Sequence, residues 1–93
     1  ILTTMNTQEL ASKIQSKIIK KLTTEGWLCV KLIRTNLNGI PDIMALKDGG
    51  TKFIEVKRED GKLSELQKLR IEQLKQKGFE CLIWTDYGEL FKS

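Results

Sequence analysis

The 93-residue chain contains no histidine. That absence excludes Ser-His-Asp and Cys-His catalysis, histidine zinc sites and nucleases that use a histidine base. Acid–base work is left to carboxylates, lysine, tyrosine or a metal-bound water. Cysteine is scarce. Cys29 and Cys81 sit inside "WLCVKLI" and "ECLIW" and read as reduced core residues, because a disulfide or zinc site asks for closer spacing, more ligands or a secretory context. The chain is therefore expected to be intracellular. No apolar run approaches the ~20 residues of a membrane span, and no signal-peptide pattern opens the sequence. Repeats, linkers and low-complexity stretches are absent too, so residues 1–93 read as one domain. Residues 1–5 are expected to be disordered or an appended remnant.

What is present begins with charge. Sixteen Lys+Arg against 12 Asp+Glu leave a net charge of +4, which permits a polyanionic partner without demanding one. Leu10, Ile14, Ile18 and Leu22, flanked by Ala11 and Ile19, form one stripe of a helix capped at Asn6 or Thr7 and ended by Gly26. "WLCVKLI" reads as a strand, Thr35 to Gly39 as a loop, and "DIMAL" and "TKFIEVK" as two strands joined at Asp48-Gly49. That dipeptide suits a type I′ turn. Ser64 to Lys77 reads as a second helix with Leu66, Leu69 and Leu74 inward and Gly78 as its stop; "FECLIW" follows as an inner strand, and "ELFKS" as a short tail element. The order α-β-β-β-α-β predicts an α+β mixed sheet with a helix on each side, its last three elements forming a parallel β-α-β crossover.

Charged residues interrupt the strands where neutral ones are usual. A two-residue turn at Asp48-Gly49 pairs Lys47 with Gly50 and, further along, Asp42 with Glu55; a four-residue loop keeps that register, whereas three or five residues would not. Glu55 and Lys57 share one face, Ile54 and Val56 the other. Two carboxylates with Cβ atoms roughly 4.5–5.5 Å apart repel beside a core, and a divalent cation reverses that sign. The geometry therefore predicts a metal on Asp42 and Glu55, with the Val56 carbonyl as a further ligand. Lys57 would hold a water in line with phosphorus and offset transition-state charge. Pro41 fixes φ just before Asp42, and Gly39 tolerates a tight approach. The same spacing also suits an exposed hairpin face on which Lys57 pairs with Asp42 or Glu55.

Pro41-Asp42 with Glu55-Val56-Lys57 resembles the PD-(D/E)xK nuclease signature. Arg34, "NGIPD" and "EVKREDGKLSELQ" together, including Ser64-x-x-Gln67, resemble its VRR-NUC branch from Glu9 to Trp84. The likeness is to the minimal stand-alone form found in bacterial viruses; archaeal Holliday-junction resolvases share the layout. The resemblance implies a restriction-endonuclease-like αβββαβ core. It assigns Mg²⁺ or Mn²⁺ to Asp42 and Glu55, water activation to Lys57, a place near the metal and scissile phosphate to Gln67, and a helix-borne carboxylate of the same site to Glu9. It implies phosphodiester hydrolysis leaving a 5′-phosphate and a 3′-hydroxyl. Gln67 also completes a capping box with Ser64, and Glu9 also complements a helix dipole.

Lys31, Arg34, Lys47, Lys52, Arg58 and Lys62 are the expected DNA-backbone contacts, each also readable as a surface charge. Without a base-reading motif, the domain is expected to select DNA shape rather than sequence. A symmetric four-way junction asks for two sites on a two-fold axis, so a homodimer is expected, as stand-alone members of this family imply. Its surface is sought in "YGELFKS" or the apolar part of the first helix. The competing reading is a DNA-binding or assembly module that kept the fold without cleavage; RNA as the substrate is a third.

Overall fold

The computed structural model describes residues 7–58, 61–85 and 88–92, with side chains from Ala11 to Thr85 within those spans. The expected disorder of residues 1–5 lies outside them. Helix α1 (Thr7–Thr24) leads into strand β1 (Leu28–Lys31), the hairpin β2 (Ile43–Lys47) and β3 (Gly50–Val56), helix α2 (Glu65–Gln76), and strands β4 (Glu80–Thr85) and β5 (Gly88–Lys92). The sheet order is β1-β2-β3-β4-β5. Every neighbouring pair is antiparallel except β3 and β4, the parallel pair that the α2 crossover requires. The tail element is thus a fifth strand that uses β4's outer edge.

Each helix takes one face of the sheet. Ile14, Ile18 and Leu22 of α1 are buried against Ile43, Ala45, Ile54, Val56 and Leu82, each such side chain contributing ~1.5–3 kcal/mol. That packing commits the apolar stripe of α1 to the core and removes it as a dimer surface. On the other face, Ile71 of α2 is buried with Phe53 and Cys81, flanked by Leu63 and Leu74. Here the expected helix stripe is corrected: Leu66 and Leu69 are 39 % and 48 % exposed. The sheet-facing positions are Gln67, Ile71 and Leu74, spaced i, i+4, i+7, so a polar residue heads the buried stripe.

The hairpin pairs as the turn chemistry dictates. Asp48 and Gly49 have φ of 52° and 78°, the two positive values of a type I′ turn. Lys47 faces Gly50, and the register continues to Ile43 opposite Ile54. The ladder ends there, and Asp42 and Glu55 are the next residues beyond it on the two segments.

Candidate metal centre and its surroundings

Glu55 lies on β3, the central strand, beneath α2, and is only 3 % exposed. Its Oε1 is buried and, among the described residues, meets no hydrogen-bond donor. Its Oε2 accepts a long hydrogen bond, 3.5 Å, from Gln67 Nε2. Burial, then the charge of Asp42 and a hydrogen bond shared with it, push the Glu55 carboxyl up to about 9, with Lys57 pulling weakly the other way. A carboxylate on an inner strand with a second acid beside it is an unfavourable arrangement unless something positive joins the pair.

Asp42 comes from the loop that enters β2. Its backbone carbonyl accepts from Leu32 N–H at 2.8 Å, extending the β1 pairing. Its Oδ2 accepts from Val56 N–H, also at 2.8 Å. Peptide groups alternate sides along a strand. Lys57 N–H donates toward β4, to Trp84 O, so the N–H and C=O of Val56 both face the β2 side. The Val56 carbonyl, the Asp42 carboxylate and Glu55 therefore meet at one edge of the β2–β3 pair, with Lys57 on the Glu55 face.

The donor set suits a hard cation. Two carboxylates and a peptide carbonyl are oxygen ligands of the Mg²⁺ and Mn²⁺ type, and the orphaned Oε1 is the atom such an ion would satisfy. Among the described residues, no three His, Cys, Asp or Glu cluster as a metal cage, which leaves the remaining positions to water and phosphate, as Mg²⁺ prefers.

Comparison with known proteins meets this geometry at the sequence level. Residues 1–85 match the VRR-NUC domain. The chain belongs to the VRR-NUC family. It is thus a member of the PD-(D/E)xK nuclease superfamily, with Pro41-Asp42 at the entry to β2 and Glu55-Val56-Lys57 running off the end of the neighbouring β3. Among solved structures it is similar to Hjc, a Holliday junction resolvase of the archaeal hyperthermophile Archaeoglobus fulgidus, at a TM-score of 0.58 and 19 % identity. The match covers 82 % of this chain and 63 % of the resolvase, so the likeness speaks to the fold. No curated protein sequence matches the chain.

The other expected site residues of this VRR-NUC chain fall into separate places. Glu9 lies in the first turns of α1, its side chain outside the described atoms. The next turn of that helix, through Ser12 and Gln15, lines a groove with Lys31 and Asp42. Arg34 lines a second groove of about 350 Å³ with Asn38, Asp42 and Gln67, so Asp42 stands where the two grooves meet. Lys57, Arg58 and Lys62 share a third cleft. Lys47 and Lys52 are not brought to this end. Lys47 Nζ donates to Glu25 O at 2.7 Å, and Lys52 and Lys47 sit over the Trp27 ring at 4.3 and 5.7 Å. That puts them at the turn end of the hairpin, on the α1 face. The dipeptide that fixed the register also carries these lysines away, since the strands run ~3.3 Å per residue from the turn to the acids.

Gln67 does two jobs at once. Its backbone N–H donates to Ser64 Oγ at 3.1 Å, and its Oε1 accepts from Ser64 N–H at 2.9 Å, which completes the capping box. The cap fixes which end of the amide is free, and that end, Nε2, points to Glu55.

Sequence reasoning missed Arg70. Its Nε donates to Asn38 O at 2.8 Å, and its Nη1 to Gln73 Oε1 at 3.0 Å. Leu66 packs against Gly39, whose φ is +82°; a Cβ there would lie 2.8 Å from Leu66 Cγ and 3.2 Å from its backbone. Leu66 and Arg70, one turn apart beside Gln67, thus clamp the loop that delivers Asp42. Helical spacing places them on one stripe; the loop they meet is distant in sequence and unreadable from it. Gly39→Ala is expected to lower Mn²⁺ affinity in calorimetry well below the melting temperature, and Arg70→Met to move it the same way. Gly49→Ala, where φ is +78° but nothing lies within 4 Å, is expected to cost ~1–2 kcal/mol of stability and leave metal affinity alone. Equal metal affinities in all three variants would contradict the clamp.

Proposed function

We propose that this chain is a divalent-metal-dependent, structure-selective DNA endonuclease that hydrolyses phosphodiester bonds in branched DNA as a homodimer. The observation that carries the reading is the buried Glu55 Oε1 beside Asp42, which meets no hydrogen-bond donor among the described residues. Asp42, Glu55 and the Val56 carbonyl hold Mg²⁺ or Mn²⁺, and Glu9 adds a helix-borne carboxylate. Held there, such an ion would supply Lewis-acid polarisation of a phosphate and lower the pKa of a water. Gln67 keeps Glu55 turned toward the ion and leaves Oε1 for it. Lys57 holds the attacking water in line and offsets charge building on phosphorus. Arg34 and Lys31 take backbone phosphates on the Asp42 side, and Arg58 and Lys62 on the Lys57 side. The products carry a 5′-phosphate and a 3′-hydroxyl.

A net charge of +4 and the absence of a base-reading motif support recognition of shape. One site cuts one strand, so a two-fold branched substrate calls for two copies. Holliday-junction cleavage, the activity named for the archaeal relative, suits that requirement. The side chains of the terminal "YGELFKS" lie outside the described ones, and β5 within it is paired to β4 through its backbone. Among the described residues no helix is long and apolar enough to cross a membrane. The thiols of Cys29 and Cys81, in no disulfide among the described residues, suit a reducing intracellular setting.

The test is a cleavage gel with labelled four-way junction, duplex and RNA, in Mg²⁺, Mn²⁺ or EDTA. Metal-dependent cutting of the junction is expected. Cutting in EDTA contradicts the mechanism, and binding without cutting in every metal favours the non-cleaving module. Lys57→Ala is expected to retain its Mn²⁺ isotherm and lose ~10²–10³ in turnover. Loss of the isotherm would make Lys57 structural instead.

A further inference from the structure

The parallel pair β3–β4 and its crossover helix α2 frame the third cleft. At the carboxyl ends of the two strands, beside the first turn of α2, lies a cleft of about 490 Å³, within the usual range for a ligand site. This is the place in a β-α-β unit where the chain leaves the sheet and a crevice must open. Its floor is apolar: Ile83 is 4 % exposed, and Leu63 lines the side. Its rim is cationic, with Lys57, Arg58, Lys62 and Lys68 around it. Glu65 is the acid among the described lining residues. It meets Lys68 at 3.2 Å, with 92 % of its own side chain exposed, a pairing weak enough for a phosphate to displace.

Lys57 belongs to both places. It follows Glu55 by two residues, just past the end of β3 and on the same face, a step of roughly 7 Å, so the cleft begins where the metal centre ends. An apolar floor with a cationic rim matches one nucleotide: sugar or base below, phosphate at the edge. We propose that this cleft is the subsite for the nucleotide next to the scissile phosphate. Lys62 and Lys68 hold its phosphate, and its sugar and base lie against Leu63 and Ile83. The proposal rests on the nuclease reading for the strand's position, and Lys68, Leu63 and Ile83 acquire through it a role in binding.

The probe is the 5′-phosphorylated thymidine dinucleotide, titrated in EDTA against ¹⁵N-labelled protein. Amide shifts are expected at Lys57, Gly61 to Leu63, Glu65 and Lys68. The Lys62→Gln/Lys68→Gln double variant is expected to bind a longer thymidine oligonucleotide ~10-fold more weakly. The slope of log affinity against log salt should flatten by about 1.4, from ~0.7 per single-strand phosphate contact. Lys20→Gln, on the exposed side of α1, should change neither. Absence of shifts at millimolar dinucleotide, shifts confined to the Arg34 groove, or an unchanged salt slope overturns the subsite, whatever the cleavage gel shows. Shifts in the cleft without cleavage in any metal uphold the subsite and remove the nuclease.

Discussion

Asp42→Asn is expected to lose cleavage below detection and at least ~100-fold in Mn²⁺ affinity, yet to fold. Outer-shell partners of bound metals already contribute 10–100-fold, and a carboxylate ligand contributes more. The fold should survive because Asp42 Oδ2 accepts from Val56 N–H, and an asparagine carbonyl oxygen can accept the same bond. The substitution also removes the negative charge that helps push up the Glu55 carboxyl, so Glu55 should titrate lower than in the wild type. A cleavage gel with calorimetry reads the first two effects, and the carboxyl ¹³C shift of Glu55 against pH reads the third. Retained Mn²⁺ binding would remove Asp42 from the centre; an unchanged Glu55 titration would mean that burial alone sets its behaviour.

Glu55→Gln should remove activity and, in EDTA at pH 8, raise the melting temperature. An ordinary glutamate titrates near 4.5, and here the folded carboxyl is pushed up to about 9. Between those values the native state binds a proton that the unfolded chain has released. Its contribution to stability is complete below the lower value and is lost as pH rises through the upper one. Wild type in EDTA should therefore lose stability from pH 5 to pH 8, whereas the glutamine variant lacks that slope. Each kcal/mol of that pH-dependent loss moves the melting temperature of a domain this size by about 4–8 °C. Near pH 5 the two proteins should converge. Added Mn²⁺ should stabilise wild type increasingly as pH rises, since binding requires the deprotonated carboxyl, and should not stabilise the variant. Wild-type stability that climbs from pH 5 to pH 8 in EDTA would show that Glu55 is already compensated by the protein.

The two predictions share one structural fact: a central strand carries a buried acid, one oxygen of which meets no donor among the described residues. Much of that was legible in the chain. Asp48-Gly49 fixed the hairpin register, and the register aligned Asp42 with Glu55; strand alternation put Glu55 and Lys57 on the face away from Ile54 and Val56. These are local rules, set by φ preferences and a two-residue period. The Ser64–Gln67 cap was legible for the same reason.

What was not legible depends on contacts between distant segments. Counting leucines put Leu66 and Leu69 inward, but α2 turns its Gln67–Ile71–Leu74 stripe to the sheet, where Ile71 and Leu74 pack with Phe53 and Cys81. Leu66 instead covers Gly39, and Arg70 holds the Asn38 carbonyl, neither of which leaves a periodic mark. Lys47 and Lys52 carry the same charge as Lys57 and Lys62, yet Trp27 gathers them at the other end of the hairpin. Charge in a sequence has a sign but no address.

A crystal soaked with Mn²⁺ at pH 8 and measured for anomalous scattering tests the central claim most directly. The expected result is one strong peak between the Asp42 carboxylate and Glu55 Oε1, with metal–oxygen distances a little above ~2.1 Å and the Val56 carbonyl turned toward it. No peak there, with Glu55 Oε1 still buried and partnerless, would contradict it.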